Sequence, residues 1–303
     1  MAADWTDSLN FGLTLAKQAS QVVMEAYERR GEEFTCKSSA ADLVTQSDVK
    51  VENFLKSAIA SKYPQHRFLG EESVGAGERL ELTDLPTWII DPIDGTVNFV
   101  HRFPFVAVSI AFCVNRQTEF GIVLSCVDQK VYYARRGGGA YCNGQQLRVS
   151  EQQDVSKCLV VTEIGAERDD LALSTMTSNI LTLLKLPVHG VRALGTAAVD
   201  MCQVATGAAD VYYHVGMHCW DIAASAIIVQ EAGGVVMDTE GGCQIAILEY
   251  PPRLHVSVSS SAGSRFDMMS RRVIAASSSA VANRIARAIR AFPCSRDDAE
   301  PSQ

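Results

Sequence analysis

Residues 87–99 read Thr-Trp-Ile-Ile-Asp-Pro-Ile-Asp-Gly-Thr-Val-Asn-Phe, and their reading decides how the chain is built. Thr87 to Ile90 is an apolar strand. It delivers two carboxylates, Asp91 and Asp94, at its end. Pro92 stiffens the link between them, and Gly95 lets the backbone approach a ligand closely. Thr96 adds a hydroxyl and a backbone N–H. Hard divalent cations want oxygen ligands, and Mg²⁺ typically takes one or two carboxylates plus substrate phosphate oxygens. A plain turn with an Asx cap fits the same residues. The buried strand in front of them favours a site.

Two further acids join this reading. Arg67-Phe68-Leu69-Gly70 is a second strand, running into Glu71-Glu72-Ser73. Strand geometry would send Glu71 and Glu72 to opposite sides, so one of them, Glu71, is assigned to a shared site. Asp221 follows Trp220 and opens the helix Ile222-Ala223-Ala224-Ser225-Ala226. An ordinary helix N-cap accounts for it as well as a ligand role does. Acids from two strand ends and a helix start would make a cation pocket. A phosphate would bind through the metal and the N–H groups near Gly95 and Thr96.

Composition narrows the partners. The chain has 303 residues, 47% hydrophobic and 20% charged, which excludes collagen-like, disordered and coiled-coil classes. Its formal charge of −8 does not attract nucleic acid or an anionic membrane. The apolar stretch Phe103 to Val114 holds Pro104 and Ser109 and is too short to span a bilayer. The acidic start carries no signal peptide. Nine cysteines, an odd number without metal-like spacing, suggest free thiols in a reducing cytoplasm. Cys219 is read as a buried, inert thiol. A Gly-x-Ser-x-Gly elbow, a Cys-x₅-Arg loop, a Walker A run and a Gly-x-Gly-x-x-Gly turn are all missing. His214 and His218 straddle Gly216, which argues against a helical zinc face.

The hydrophobic pattern predicts a helix over 4–30 and a second one capped by Ser47 or Asp48. Strands over 106–114, 119–127 and 130–134 form a meander, with turns at 136–139 and 143–144. From 154 onward strands and helices alternate, with helices over 170–185 and 221–232. The expected organisation is an α/β chain of two lobes, residues 1–150 and 151–295, followed by a disordered tail 296–303.

Gly70-Glu71-Glu72-Ser73, the 88–99 run, and His218-Cys219-Trp220-Asp221-Ile222-Ala223-Ala224 resemble the signatures of the inositol monophosphatase family. Lys37-Ser38-Ser39, Asp42-Leu43-Val44-Thr45 and the 266–273 segment extend the resemblance along almost the whole chain, closest to the animal members. It implies a layered αβαβα sandwich acting as a cytoplasmic homodimer. The implied reaction is Mg²⁺-dependent, lithium-sensitive hydrolysis of inositol monophosphates to myo-inositol, supplying inositol for phosphatidylinositol signalling. The implied metal ligands are Glu71, Asp91, Asp94, Asp221 and the carbonyl of Ile93. Phosphate would meet Gly95 and Thr96. The inositol ring would lie near Gly195, Thr196, Ala197, His214 and Asp221. Thr96, hydrogen-bonded toward Asp48, would orient the attacking water on the metal side of Glu71. Lys37 also matches a position near the site.

The chain departs from the family in three places. His214 stands where animal members carry an acid that touches inositol hydroxyls. Ala166 replaces a common serine. Residues 243–265 have no counterpart, and their pattern allows an edge strand or a loop. These departures keep two alternatives open. One is a phosphatase of other small sugar or nucleotide phosphates. The other is a catalytically poor isoform, disabled by the insert and serving as a binding partner.

Overall fold

The structure, a computed structural model, describes residues 5–29, 33–239 and 266–299. The insert 243–265 lies outside the described residues, and with it the expected edge strand or loop. Helices α1 (Thr6–Glu28) and α2 (Gln46–Lys62) flank a small hairpin of β1 (Phe34–Cys36) and β2 (Leu43–Thr45). Strand β3 (Arg67–Gly70) runs into the short helix α3 (Glu71–Gly75). Strand β4 (Thr87–Asp94) runs into α4 (Thr96–His101). The expected meander follows as β5 (Ala107–Val114), β6 (Gln117–Ser125), β7 (Lys130–Arg135), β8 (Gly139–Cys142) and β9 (Gln145–Gln146). These strands, β3 to β9, form one sheet in chain order, antiparallel except for the β3/β4 pair.

The second half alternates as expected. Its elements are β10 (Leu159–Thr162), α5 (Asp170–Lys185), β11 (Gly190–Arg192), α6 (Ala197–Ala205), β12 (Val211–Val215), α7 (Cys219–Glu231), β13 (Val235–Met237), β14 (Arg272–Ala276) and α8 (Ser279–Ala288). They build a second sheet in the order β11-β10-β12-β14-β13.

Side-chain size explains the stacking. Along β5, Val108, Ile110 and Phe112 point into a core with Leu15, Val23, Val51, Leu55 and Ile59 of α1 and α2. The alternate residues Ala107, Ser109 and Ala111 are small and face the other way, as period-two geometry requires. Helix α7 occupies the room they leave. It is apolar nearly all round, as a helix enclosed on both sides must be, and packs its Ala223, Ala224 and Ala226 there. The approach is closest at Gly121, where an added Cβ would lie 2.3 Å from the Ala224 carbonyl oxygen. On their far side α6 and α7 meet Val161, Tyr212, Val273 and Ala275 of the second sheet. That sheet's outer face is covered by Leu183 of α5 and by Val281, Ala282 and Ile285 of α8. The layers are therefore α, β, α, β, α.

Three local expectations are corrected. The cap of α2 is Thr45, not Ser47 or Asp48. Thr45 accepts from Ser47 N, while Asp48 reaches back to the Thr45 N–H at 2.9 Å. Asp221 is not an N-cap either: α7 starts at Cys219 behind its cap His218, which makes Asp221 the third residue of the helix. Residues 296–299 do not belong to a disordered tail, because Asp297 is enclosed and hydrogen-bonded to His218 and Cys219.

Candidate active site

A regular strand would turn Asp91 and Asp94 to opposite faces. Strand β4 avoids this with a bulge. Asp91 pairs with Ser109 and Asp94 with Ala107, so the stretch through Pro92 and Ile93 carries an extra residue. Pro92 has no N–H to give a ladder, which suits it to a bulge. Ile93 drops into the α1/α2 core, and Asp94 comes back to the side where Asp91 points. There Asp94 Oδ2 accepts from the Thr196 hydroxyl and, at 2.7 Å, from Ala198 N at the start of α6. Asp91 Oδ1 accepts from Ile93 N at 3.0 Å.

Gly95 follows with φ of 93°, a left-handed conformation. A Cβ there would sit 3.0 Å from the carbonyl oxygens of both Gly195 and Phe105. Asn98 of α4 fastens the facing loop, donating to Phe105 O at 2.8 Å and Leu194 O at 2.7 Å. Gly195, also left-handed, lies so close that a Cβ would be 2.6 Å from the Asn98 amide. Gly195, Thr196 and Ala197 are thus brought to the same place as Gly95 and Thr96. The Thr96 hydroxyl lies 3.1 Å from Ile93 O and 3.2 Å from Asp48 Oδ1.

Glu71 and Glu72 do not diverge as strand residues would. The strand ends at Gly70, and both acids open α3, where Lys37 Nζ bonds each at 2.8 Å. Glu52 of α2 caps that short helix, accepting from Glu72 N and Ser73 N, each at 2.7 Å. It was missed in the sequence. The signal was a charged residue on the Val51, Leu55, Ile59 face, where a buried carboxylate needs donors.

The electrostatics bind these acids together. Burial drives Asp91 far above the usual carboxylate range, and the charges of Glu71, Asp94 and Asp221 add to it. Asp221 is likewise raised, by burial and then by Asp94 and Glu71, against the pull of its bond from His218 N. Asp94 is pushed up to about 7 by burial, against its bonds from Thr196 and Ala198. Asp48 rises to about 6 and Glu72 to about 7, again mainly through burial. Among the described residues no three His, Cys, Asp or Glu side chains form a group placed to hold a metal ion. Lys37 and the start of α6 hold two of the acids instead. The set still fits a hard divalent cation: the donors are all oxygens, and the acids are short of positive charge.

His214 is held differently. Its Nδ1 bonds the Tyr212 hydroxyl at 3.0 Å, while Nε2 is buried without a hydrogen-bond partner among the described residues. Burial, with Arg271 and His218 nearby, lowers its pKa to about 4, so the ring is neutral at pH 7. Ala166 offers only its backbone, accepting from Ser39 Oγ at 2.8 Å. Cys219 is fully buried with its thiol pKa pushed up, as expected of an inert thiol.

A second acid pair, also missed, lies behind the Gly195 loop. Glu163 Oε1 accepts from Leu194 N at 2.9 Å and Gly195 N at 2.7 Å. Asp200 of α6 is fully buried, and no donor among the described residues reaches either of its oxygens. Its neighbour is the Glu163 carboxyl. Burial, with Glu163 beside it, raises the Asp200 pKa well above its usual value, which favours the protonated carboxyl in the fold. A carboxyl protonated in the fold but ionised when unfolded weakens the fold as pH rises above about 4. Asp200→Asn should remove this slope and leave stability at pH 7 equal or greater. Asp200→Ala should lose roughly 1–3 kcal/mol. Urea melts at pH 5 and pH 8 compare them; an Asn variant weaker than wild type at pH 8 would reject a protonated Asp200.

The inositol monophosphatase family model matches residues 4–293. Human inositol monophosphatase 1 is 53% identical over 98% of this chain and 99% of its own length. Human inositol monophosphatase 2 is 44% identical over 98% of this chain and 95% of its own. Among solved structures, the extragenic suppressor protein SuhB from Bartonella henselae superposes with a TM-score of 0.76 at 28% identity, covering 93% of this chain and 98% of that one. The Thermotoga maritima IMPase gives 0.76 at 27%, over 93% and 96%. With its five layers and its acids gathered at the bulge of β4, the chain belongs to the inositol monophosphatase family.

Proposed function

We propose that the chain is a Mg²⁺-dependent phosphomonoesterase that releases phosphate from inositol monophosphates by attack of water. The reading is supported most by the electrostatics of Asp91 and Asp221, two buried carboxyls from β4 and α7, each raised by burial and by the charges of Glu71 and Asp94. Glu71, Asp91, Asp94, Asp221 and the Ile93 carbonyl would hold the metal. When bound, the metal supplies positive charge for the phosphate and for the leaving oxygen, and a more acidic water.

The chain's own residues do the rest. Thr96 has one hydroxyl proton and two acceptors in reach, Ile93 O and Asp48 Oδ1. With the carbonyl engaged elsewhere, that proton goes to Asp48, and the hydroxyl lone pair faces the nucleophilic water. Asp48 is kept in place by two bonds from Thr45. Helix α4 begins at Thr96, so its first N–H groups have no intrahelical partner and suit phosphate oxygens. Gly195, Thr196, Ala197, His214 and Asp221 would border the inositol ring. His214 Nε2 is buried and without a partner among the described residues, so a ring hydroxyl would bond it only if the Gly165 side of the site admits the ring.

A neutral imidazole takes one hydroxyl where a carboxylate accepts two, and this keeps a second reading: other small sugar or nucleotide phosphates. A cytoplasmic homodimer accompanies the proposal. Leu171, Leu181 and Leu184 on α5 are more than half exposed, as a helix face awaiting a second copy would be.

The test is phosphate release from inositol 1-phosphate by the full chain, with Mg²⁺, without it and after a chelator. Release only with the metal is expected. No release under any condition, from protein of folded spectrum, would overturn the proposal and favour the disabled isoform.

A further inference from the structure

The C-terminal residues reach the helix that carries Asp221. The first N–H groups of a helix have no partner within it. At α7 the Cys219 N–H is met by Asp297 Oδ2 at 2.7 Å, from 78 residues further along the chain. Asp297 Oδ1 lies 2.7 Å from His218 Nδ1 and 3.7 Å from Arg271 Nε. Its side chain is 1% exposed. Such enclosure of a carboxylate is stable only with partners of this kind, and a negative charge suits a helix N-terminus.

The grip continues to the site. The His218 ring stacks on Trp220 with centroids 4.6 Å apart. The backbone N–H of the same His218 donates to Asp221 Oδ2 at 2.8 Å. Arg271 adds a second hold, donating to Met217 O at 3.3 Å and to Gly216 O. The segment itself is anchored twice. Asp297 N donates to Met269 O at 3.0 Å, and Arg296 pairs with Asp267 at 2.5 Å. Asp267 in turn caps the 3-10 turn Met268–Ser270.

We infer that Asp297 is a positioning residue, through which the C-terminal segment straps the start of α7 and fixes Asp221 for the metal. The inference rests on the metal-site reading above. A cap serving α7 alone would act on helix stability. Here the carboxylate also holds the ring of the residue whose N–H orients Asp221. Groups that orient a metal ligand typically matter about 10–100-fold in affinity or activity.

The experiment is calorimetric titration of the metal-free full chain with Mg²⁺, beside Asp297→Ala, Asp297→Asn and a chain ending at residue 295. Thermal midpoints without metal are recorded in parallel. Asp297→Ala and the shortened chain should bind Mg²⁺ at least about tenfold more weakly. Asp297→Asn keeps an oxygen for Cys219 N and should fall between, and it serves if the other variants fail to fold. Wild-type affinity in Asp297→Asn and in either folded variant, with only the midpoint lowered, would overturn the inference and leave a structural cap. A wild-type chain that binds no Mg²⁺ would instead overturn the metal-site reading, and the inference with it.

Discussion

Asp91→Asn is expected to reduce phosphate release by roughly 10²–10³-fold or more, the scale on which one preorganised electrostatic group acts. The fold should persist. Asp91 Oδ1 accepts from Ile93 N, and an asparagine oxygen can do the same. Stability without metal should even rise. The Asp91 pKa is raised in the folded chain, so its ionised form costs folding free energy at neutral pH. A neutral amide removes that cost. Lost turnover with an unchanged or higher thermal midpoint is the signature of a residue kept for function. Turnover near wild type would remove Asp91 from the metal set and the proposed mechanism with it.

Gly121→Val should act from the opposite direction, through packing. A Cβ at this position lies 2.3 Å from Ala224 O and 2.7 Å from Ala224 Cα, all backbone that no rotamer change can move. Helix α7 has no room to retreat, since its other face packs on the second sheet. Overpacking typically costs about 1–3 kcal/mol, and valine adds two methyl groups to the clash. Chemical denaturation should show a loss at or above that range. The rate per folded molecule should fall as well, because α7 carries Asp221. A valine variant with wild-type stability would mean that the contact of α7 with β6 is looser than the structure has it.

The fold was legible wherever periodicity or punctuation was strong. The apolar run at Thr87 ends as a strand, and the helix expected over 170–185 has those bounds. The carboxylates Asp91, Asp94 and Asp221 stood out because acids beside buried apolar runs need a reason. Local boundaries were weaker. Asp48 and Asp221 looked like caps because a cap and a residue three positions on both carry short polar side chains, and only backbone angles separate them. Glu71 and Glu72 were placed on a strand that had already turned into a helix.

The partners of the site were hidden for a different reason. Asn98 meets Leu194 across 96 residues, Glu52 meets Glu72 across 20, and Asp297 meets Cys219 across 78. None of these pairs leaves a local period. Each is imposed by the buried polar group it satisfies once the layers are stacked.

The sequence by itself determined most elements and the α/β class through side-chain type and local spacing, while the layered sandwich and the set of acids assigned to the site came from the family resemblance. Tertiary structure alone decided that Asp91 and Asp94 share a face, that Asp200 is enclosed beside Glu163, and that Asp297 holds the start of α7. A bulge is set by pairing with β5, a raised carboxyl pKa by exclusion of water, and a cap by a surface that exists only after folding.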